Sequence, residues 1–128
     1  MTTTTADQAV LEVLGSMYSA WAAGDADGIA GHYTPDTSVI MPGVSHAGRE
    51  AVRALFAAGF QGRLKGSTTI DEPGEVRFYG ADTAIVTTTG GIVPAGHDSV
   101  YRLVRATWVL VRQDGQWLIA AYSNAPAE

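Results

Sequence analysis

Arg105-Ala-Thr-Trp-Val-Leu-Val-Arg-Gln-Asp-Gly-Gln-Trp-Leu-Ile-Ala-Ala-Tyr-Ser-Asn124 is the stretch that decides the fold. Two runs rich in β-branched and aromatic residues flank Gln113-Asp114-Gly115-Gln116, and Asp-Gly between such runs is a strong short-range hairpin signal. Strand side chains alternate between two faces. In the first strand Tyr101, Leu103, Arg105, Thr107, Val109 and Val111 share one face, opposite Val100, Arg102, Val104, Ala106, Trp108 and Leu110. In the second, Leu118, Ala120, Tyr122 and Asn124 oppose Trp117, Ile119, Ala121 and Ser123. Neither face is polar enough to lie wholly in water, so both are expected to be covered.

Arg105, Thr107, Tyr122 and Asn124 are hydrogen-bonding groups set into these apolar strands. A buried polar group is costly unless it finds a partner. Two readings follow: neighbouring strands and loops satisfy them, or they are the few convergent polar groups of a mostly apolar pocket. Arg105 is the first candidate ligand contact, because a guanidinium cannot shed its charge to escape burial.

A length of 128 residues fits one domain, 1–128, that buries roughly two-thirds of its unfolded surface without staples. With no cysteine, thiol nucleophiles, thiolate metal sites and disulfides are excluded. A formal charge of −5 and the lack of a Lys/Arg cluster argue against nucleic acid. No apolar run approaches membrane-spanning length and no signal-like segment opens the chain, so a cytoplasmic protein without membrane contact is expected. Gly59-Phe-Gln-Gly-Arg-Leu-Lys-Gly-Ser67 is Gly-rich but lacks the spacing of a phosphate loop.

Thr5-Ala-Asp-Gln8 fits a capping box after a flexible tail, residues 1–5. Val10, Leu14, Met17 and Trp21 then form one apolar stripe on a helix that Gly24 closes, with Tyr18 at its edge. Asp25 caps a short second helix to about Tyr33, which Thr34-Pro35-Asp36 stops. Thr37 to Met41 reads as a strand, Pro42-Gly43 as a turn, and a loop carries His46 to Gly48. Arg49 to about Phe60 reads as a third helix with Val52, Leu55, Phe56 and Phe60 on one face. Strands are expected at about Thr68–Ile70, Val76–Tyr79 and Thr83–Thr89, punctuated at Asp71–Gly74, Gly80–Asp82 and Pro94–Asp98. Helices followed by strands indicate an α+β domain with an antiparallel sheet.

The order of these elements carries a resemblance. Gly24-Asp25 lies between the first helices, Tyr33-Thr-Pro-Asp-Thr-Ser-Val-Ile-Met-Pro-Gly43 forms the first strand, Gly48-Arg-Glu opens the third helix, and Asp114-Gly-Gln-Trp-Leu-Ile-Ala-Ala-Tyr-Ser-Asn-Ala-Pro126 closes the chain. Together they resemble the nuclear-transport-factor-two-like superfamily, most closely its SgcJ/EcaC branch near the SnoaL-like proteins. The resemblance implies a cone of cystatin-like topology: a curved antiparallel sheet wrapping three helices, a pocket inside it, and a homodimer formed on the sheet's outer face. It also implies a link to enediyne and other polyketide pathways of secondary metabolism. Superfamily members include isomerases, cyclases, dehydratases and non-catalytic modules, so fold alone does not decide function.

Ketosteroid isomerase works with an aspartate base, a tyrosine and a protonated aspartate. The matching positions in this chain hold Met41, Met17 and Thr107, which do not support that chemistry, while Tyr33 matches a tyrosine of the isomerase's pocket network. Most carboxylates here, Asp71 among them, fall in expected caps, turns and loops, an awkward distribution for an acid or base. His32, His46 and His97 are spread along the chain without metal-ligand spacing, so no metal is expected; His46 and His97 are solvated loop residues or stand at the pocket mouth.

The expected protein is a cofactor-independent binder of an apolar, polyketide-like molecule, with cyclase, dehydratase or isomerase chemistry as its catalytic form. Met17, Trp21, Met41, Phe56 and Phe60 would give the pocket its apolar wall, and Tyr33, Arg105, Thr107, Tyr122 and Asn124 its polar contacts. Trp108, Trp117 and Ile119, on the face opposite Arg105, would form the dimer interface. The rival reading is a ligand-free scaffold module in which the same polar groups pair with one another.

Overall fold

A computed structural model describes residues 5–127, so most of the expected tail lies outside the described residues, and Thr5 itself is helical. The elements in order are α1 (Thr5–Ala22), α2 (Ala26–Ala30), β1 (Tyr33–Met41), β2 (Val44–Ala47), α3 (Arg49–Phe60), β3 (Thr68–Phe78), β4 (Thr83–Val93), β5 (Val104–Gln113) and β6 (Gln116–Pro126). The strands form one six-stranded sheet in the order β2-β1-β6-β5-β4-β3, curved and open. Every neighbouring pair is antiparallel except β1 with β6, which run parallel and join the first strand to the last. The fold is α+β and cystatin-like, with the helices packed on the concave face.

The helices form where the apolar spacing places them. Val10, Leu14, Met17 and Trp21 are the buried residues of α1, an i, i+3/i+4 stripe laid against β3 and β6. Asp25 caps α2 by accepting the Gly28 N–H at 2.9 Å. Arg49, at the start of α3, donates two hydrogen bonds to the Tyr33 carbonyl at 2.9 and 2.7 Å and so ties α3 to β1.

The strands run longer than their turn-like residues imply. β1 starts at Tyr33 and carries Pro35 through a register irregularity between Tyr33 and Ser38, where a residue without an N–H is tolerated. The stretch with His46 is strand β2, paired with β1 across Pro42-Gly43. Asp71–Gly74 does not divide two strands: β3 is continuous and takes up Pro73 at a bulge on an edge strand. β4 continues through Gly90-Gly91, and β5 begins only at Val104.

One extra residue in β6 changes which side chains face inward. Near the Asp114-Gly115 turn the pairing is Gln113↔Gln116 and Val111↔Leu118, a register that, continued, sets Thr107 opposite Tyr122 and Arg105 opposite Asn124. A bulge at Ala120 intervenes, so Trp108 pairs with Tyr122 and Ala106 with Asn124. Arg105 and Thr107 consequently lie exposed on the outer face, where the charge keeps its water. Trp108, Trp117 and Ile119, expected on the outer face, are interior instead, at 4%, 9% and 0% exposure. They belong to the hydrophobic core between helices and sheet and cannot form an interface with a second copy.

Candidate functional site in the cone

The concave face of the sheet and the helices enclose a cavity of about 300 Å³ with a mostly apolar wall. This size lies at the small end for small-molecule pockets. Of the expected contacts, Met17, Trp21, Tyr33, Met41, Phe56, Tyr122 and Asn124 line it. Phe60 stands behind the wall, with its ring 6.0 Å from that of Trp21 and at 85° to it. Arg105 and Thr107 are not on the wall and border a separate hollow outside the sheet with Glu72 and Thr87. His46 and His97 do not reach the cavity, and His97 is exposed in the β4–β5 connection.

Two aromatic residues are locked in place by their ring N–H groups. Trp21 donates to Ser67 Oγ at 2.9 Å, and Ser67 donates to the Leu64 carbonyl at 2.6 Å. Trp108 donates to Thr88 Oγ1 at 3.0 Å. Its ring lies between the edge of Tyr18, 6.2 Å away at 84°, and the ring of Tyr122, 4.3 Å away. A buried indole keeps its position only where such a partner is present.

The chemical centre of the cavity is a residue that its sequence context hid. Asp71 points inward from β3 and accepts hydrogen bonds from the Tyr18 hydroxyl and the Thr88 hydroxyl. Because the Thr88 oxygen already accepts from Trp108, its single proton is the one directed at Asp71. Burial holds the Asp71 carboxyl above the usual carboxylate range, and the two hydrogen bonds only partly offset it. Its proton affinity is therefore raised while its geometry is fixed. No sequence signal marks this position: β3 turns Thr69 and Asp71 inward and leaves Ile70 and Glu72 exposed, the reverse of what the apolar side chain of Ile70 implies, and Pro73-Gly74 reads as a turn.

Three tyrosine hydroxyls complete the polar part of the wall. Burial first, and then the hydrogen bond to Asp71, pushes the Tyr18 phenol well above its ordinary value. Burial does the same to Tyr33, with a contribution from neighbouring Tyr122. Tyr122 is also raised by burial, against a lowering hydrogen bond from Asn124. Asn124 Nδ2 donates to the Tyr122 hydroxyl at 2.7 Å, which leaves the phenolic proton of Tyr122 free to donate. All three hydroxyls stay protonated at neutral pH. The arrangement is one carboxylate of raised basicity among neutral donors in an apolar chamber.

A cystatin-like cone with an enclosed apolar cavity defines the class of protein. The chain belongs to the SnoaL-like domain family, whose sequence profile matches residues 14–119. No curated protein matches it in sequence. Among solved structures it is similar to a domain of unknown function with a cystatin-like fold from Nostoc punctiforme, at 24% identity and a TM-score of 0.87, covering 98% of this chain and 80% of that one. A scytalone dehydratase-like protein of Novosphingobium aromaticivorans superposes with a TM-score of 0.78 at 14% identity, covering 94% and 83%. A ketosteroid isomerase-like protein of Erwinia carotovora atroseptica gives 0.73 at 17% identity, covering 94% and 95%. These likenesses establish the fold. In the cavity itself Met17 and Met41 line the wall where the resemblance to the isomerase would place a tyrosine and a base.

Proposed function

We propose that the protein binds a small, largely apolar carbonyl or hydroxy compound inside the cone and moves a proton on it, chemistry of the cyclase, dehydratase or isomerase type. The observation that carries this reading is Asp71: a half-buried carboxyl of raised proton affinity, aimed into an apolar cavity and held by Tyr18 and Thr88. Such a group is a competent general base near neutral pH. It would take a proton from carbon beside a carbonyl. Tyr122 and Tyr33, both kept protonated by burial, would donate hydrogen bonds to the oxygen that becomes enolate-like. The proton on Asp71 is then returned at another carbon, or to a departing hydroxyl as water.

A polyketide-type intermediate of secondary metabolism suits such a chamber, and the resemblance to the SgcJ/EcaC branch supports that assignment, in a cytoplasmic protein. The rival scaffold reading has some support, since Tyr18 with Asp71 and Tyr122 with Asn124 are paired internally. Against it stands the cavity that remains beside those pairs. For assembly we propose a homodimer through the outer sheet face, where Ile85, Val109 and Ala121 form a partly buried cross-strand row.

The test needs no knowledge of the natural ligand. Exchange of the α-protons of β-tetralone into D2O, followed by proton NMR, should be faster with the protein than without it. Asp71→Asn should abolish the acceleration while β-tetralone still binds. Binding without any exchange would overturn the proton transfer and leave a binding protein, and neither binding nor exchange would overturn the proposal in favour of the ligand-free scaffold.

A further inference from the structure

The charged residues on the cavity wall are Asp71, Arg63 and Arg102, and the two arginines take no part in the proton transfer. Both are exposed, so they stand at the mouth while Asp71 lies inside. Among the described residues Arg53, Arg77 and Arg112 pair with carboxylates, and Arg63 and Arg102 do not. In a chain with 13 acidic and 8 basic residues, two unpaired cations at the entrance of one apolar cavity form a local positive field against the overall charge.

Their backbones are held where they are. Arg63 lies within the turns after α3, between the hydrogen bonds of Leu64 N–H to Gly59 O at 2.9 Å and Lys65 N–H to Gly62 O at 3.1 Å. Arg102 follows Tyr101, whose N–H bonds the Ile92 carbonyl at 2.9 Å, and precedes Leu103, whose carbonyl accepts from Ala127 N–H at 3.0 Å. Gly91 is what lets this segment lie on β4: a Cβ there would come within 2.5 Å of the Arg102 carbonyl oxygen. The Arg102 guanidinium lies 6.0 Å from the centre of the Tyr101 ring, and the backbone of each arginine is anchored at the rim.

We infer that the ligand is an amphipathic anion, with an apolar body that enters the cone and an anionic group, of the carboxylate type, that stays at the mouth against Arg63 and Arg102. This rests on the reading of the cavity as a ligand site. Orientation follows from charge. The interior holds a carboxyl that opposes a second negative charge, so the neutral, reactive end enters first and the anion is left at the rim.

Titration calorimetry with β-naphthoic acid and β-naphthamide tests this, because the pair share a body and differ in charge. Wild type should bind the acid about tenfold more tightly than the amide at low salt, the size expected for a partly exposed charge-assisted contact. The ratio should shrink at roughly 0.5 M salt, where screening is short-ranged. In the double variant Arg63→Gln/Arg102→Gln the ratio should fall to about one; both side chains are exposed, so the fold should tolerate the change. Equal binding of acid and amide by wild type would overturn the inference and leave the proposed function standing. A preference that survives in the double variant would also overturn it. Failure of both compounds to bind would overturn the inference together with the ligand-site reading beneath it.

Discussion

Asp71 and Gly90 face each other across β3 and β4, and a Cβ on Gly90 would come within 2.6 Å of Asp71 Oδ1. The missing side chain on β4 is the room in which the carboxyl lies. Gly90→Ala should therefore move Asp71 away from Tyr18 and Thr88, and the Ile70 carbonyl on the other side leaves little scope for relaxation. We expect a loss of about 1–3 kcal/mol in stability from overpacking and loss of β-tetralone exchange. Thermal unfolding and the exchange assay would check both; an alanine variant with wild-type exchange would contradict this account of the glycine.

Stability should report the burial of Asp71 through pH. Its folded-state proton affinity is raised, so its contribution is fully present below the ordinary carboxylate pKa and is lost as pH rises through the folded value. Asp71→Asn, which stays neutral, escapes that loss. The variant should melt above wild type at pH 7, with a difference that narrows towards acid. A constant difference across that range would show that the charge is not the cause.

Tyr18→Phe and Thr88→Val each remove a donor that lowers the Asp71 pKa. The acid limb of the exchange-rate profile, set by ionisation of the base, should move to higher pH in both variants. An unshifted or downward-shifted limb would mean that Asp71 is not the titrating base.

The two faces of β5 should respond differently to the same insult. Trp108→Glu places a charge in the core and loses the indole's packing, and should cost at least about 4 kcal/mol and unfold the chain. Val109→Glu, one residue on, should leave the fold and the cavity intact and weaken self-association through the outer face. Sedimentation velocity and circular dichroism separate these outcomes; a wild type that stays monomeric would dismiss the dimer.

Arg105→Met should change stability by no more than about 0.5 kcal/mol, as for other exposed sites, and leave binding of β-naphthamide unaltered, since Arg105 lies outside the cone. A marked drop in affinity would restore it to the site.

The contrast between what the sequence disclosed and what it hid follows from the kinds of signal involved. The α1 stripe, the α2 cap and the Asp114-Gly115 hairpin are local patterns, and the chain obeys them. The inward face of β5 depends on one unpaired residue, Ala120, which looks like any other strand alanine. Alternation read through it reverses every residue beyond, and so sets Arg105 and Thr107 on one face with Tyr122 and Asn124. Asp71 was obscured by a different effect. Asp-Glu-Pro-Gly is turn chemistry in isolation, and only the edge position of β3 and its bulge allow it to continue as a strand. Tyr18, at the margin of the α1 stripe, acquires its role only when β3 brings Asp71 to it.

The parallel pairing of β1 with β6 also sets the order in which the molecule can assemble. Tyr33 finds its register partner at Ile119, close to the other end of the chain, whereas β3, β4 and β5 pair with their sequence neighbours. Loop-closure entropy makes such a distant contact late and slow relative to the hairpins. On a ribosome, β1 must wait unpaired on its β6 side until β6 has emerged. Tyr33, on β1, joins Tyr122 and Asn124, on β6, in the cavity wall only once that pairing forms, so a nascent chain can carry most of its hairpins and still have no site.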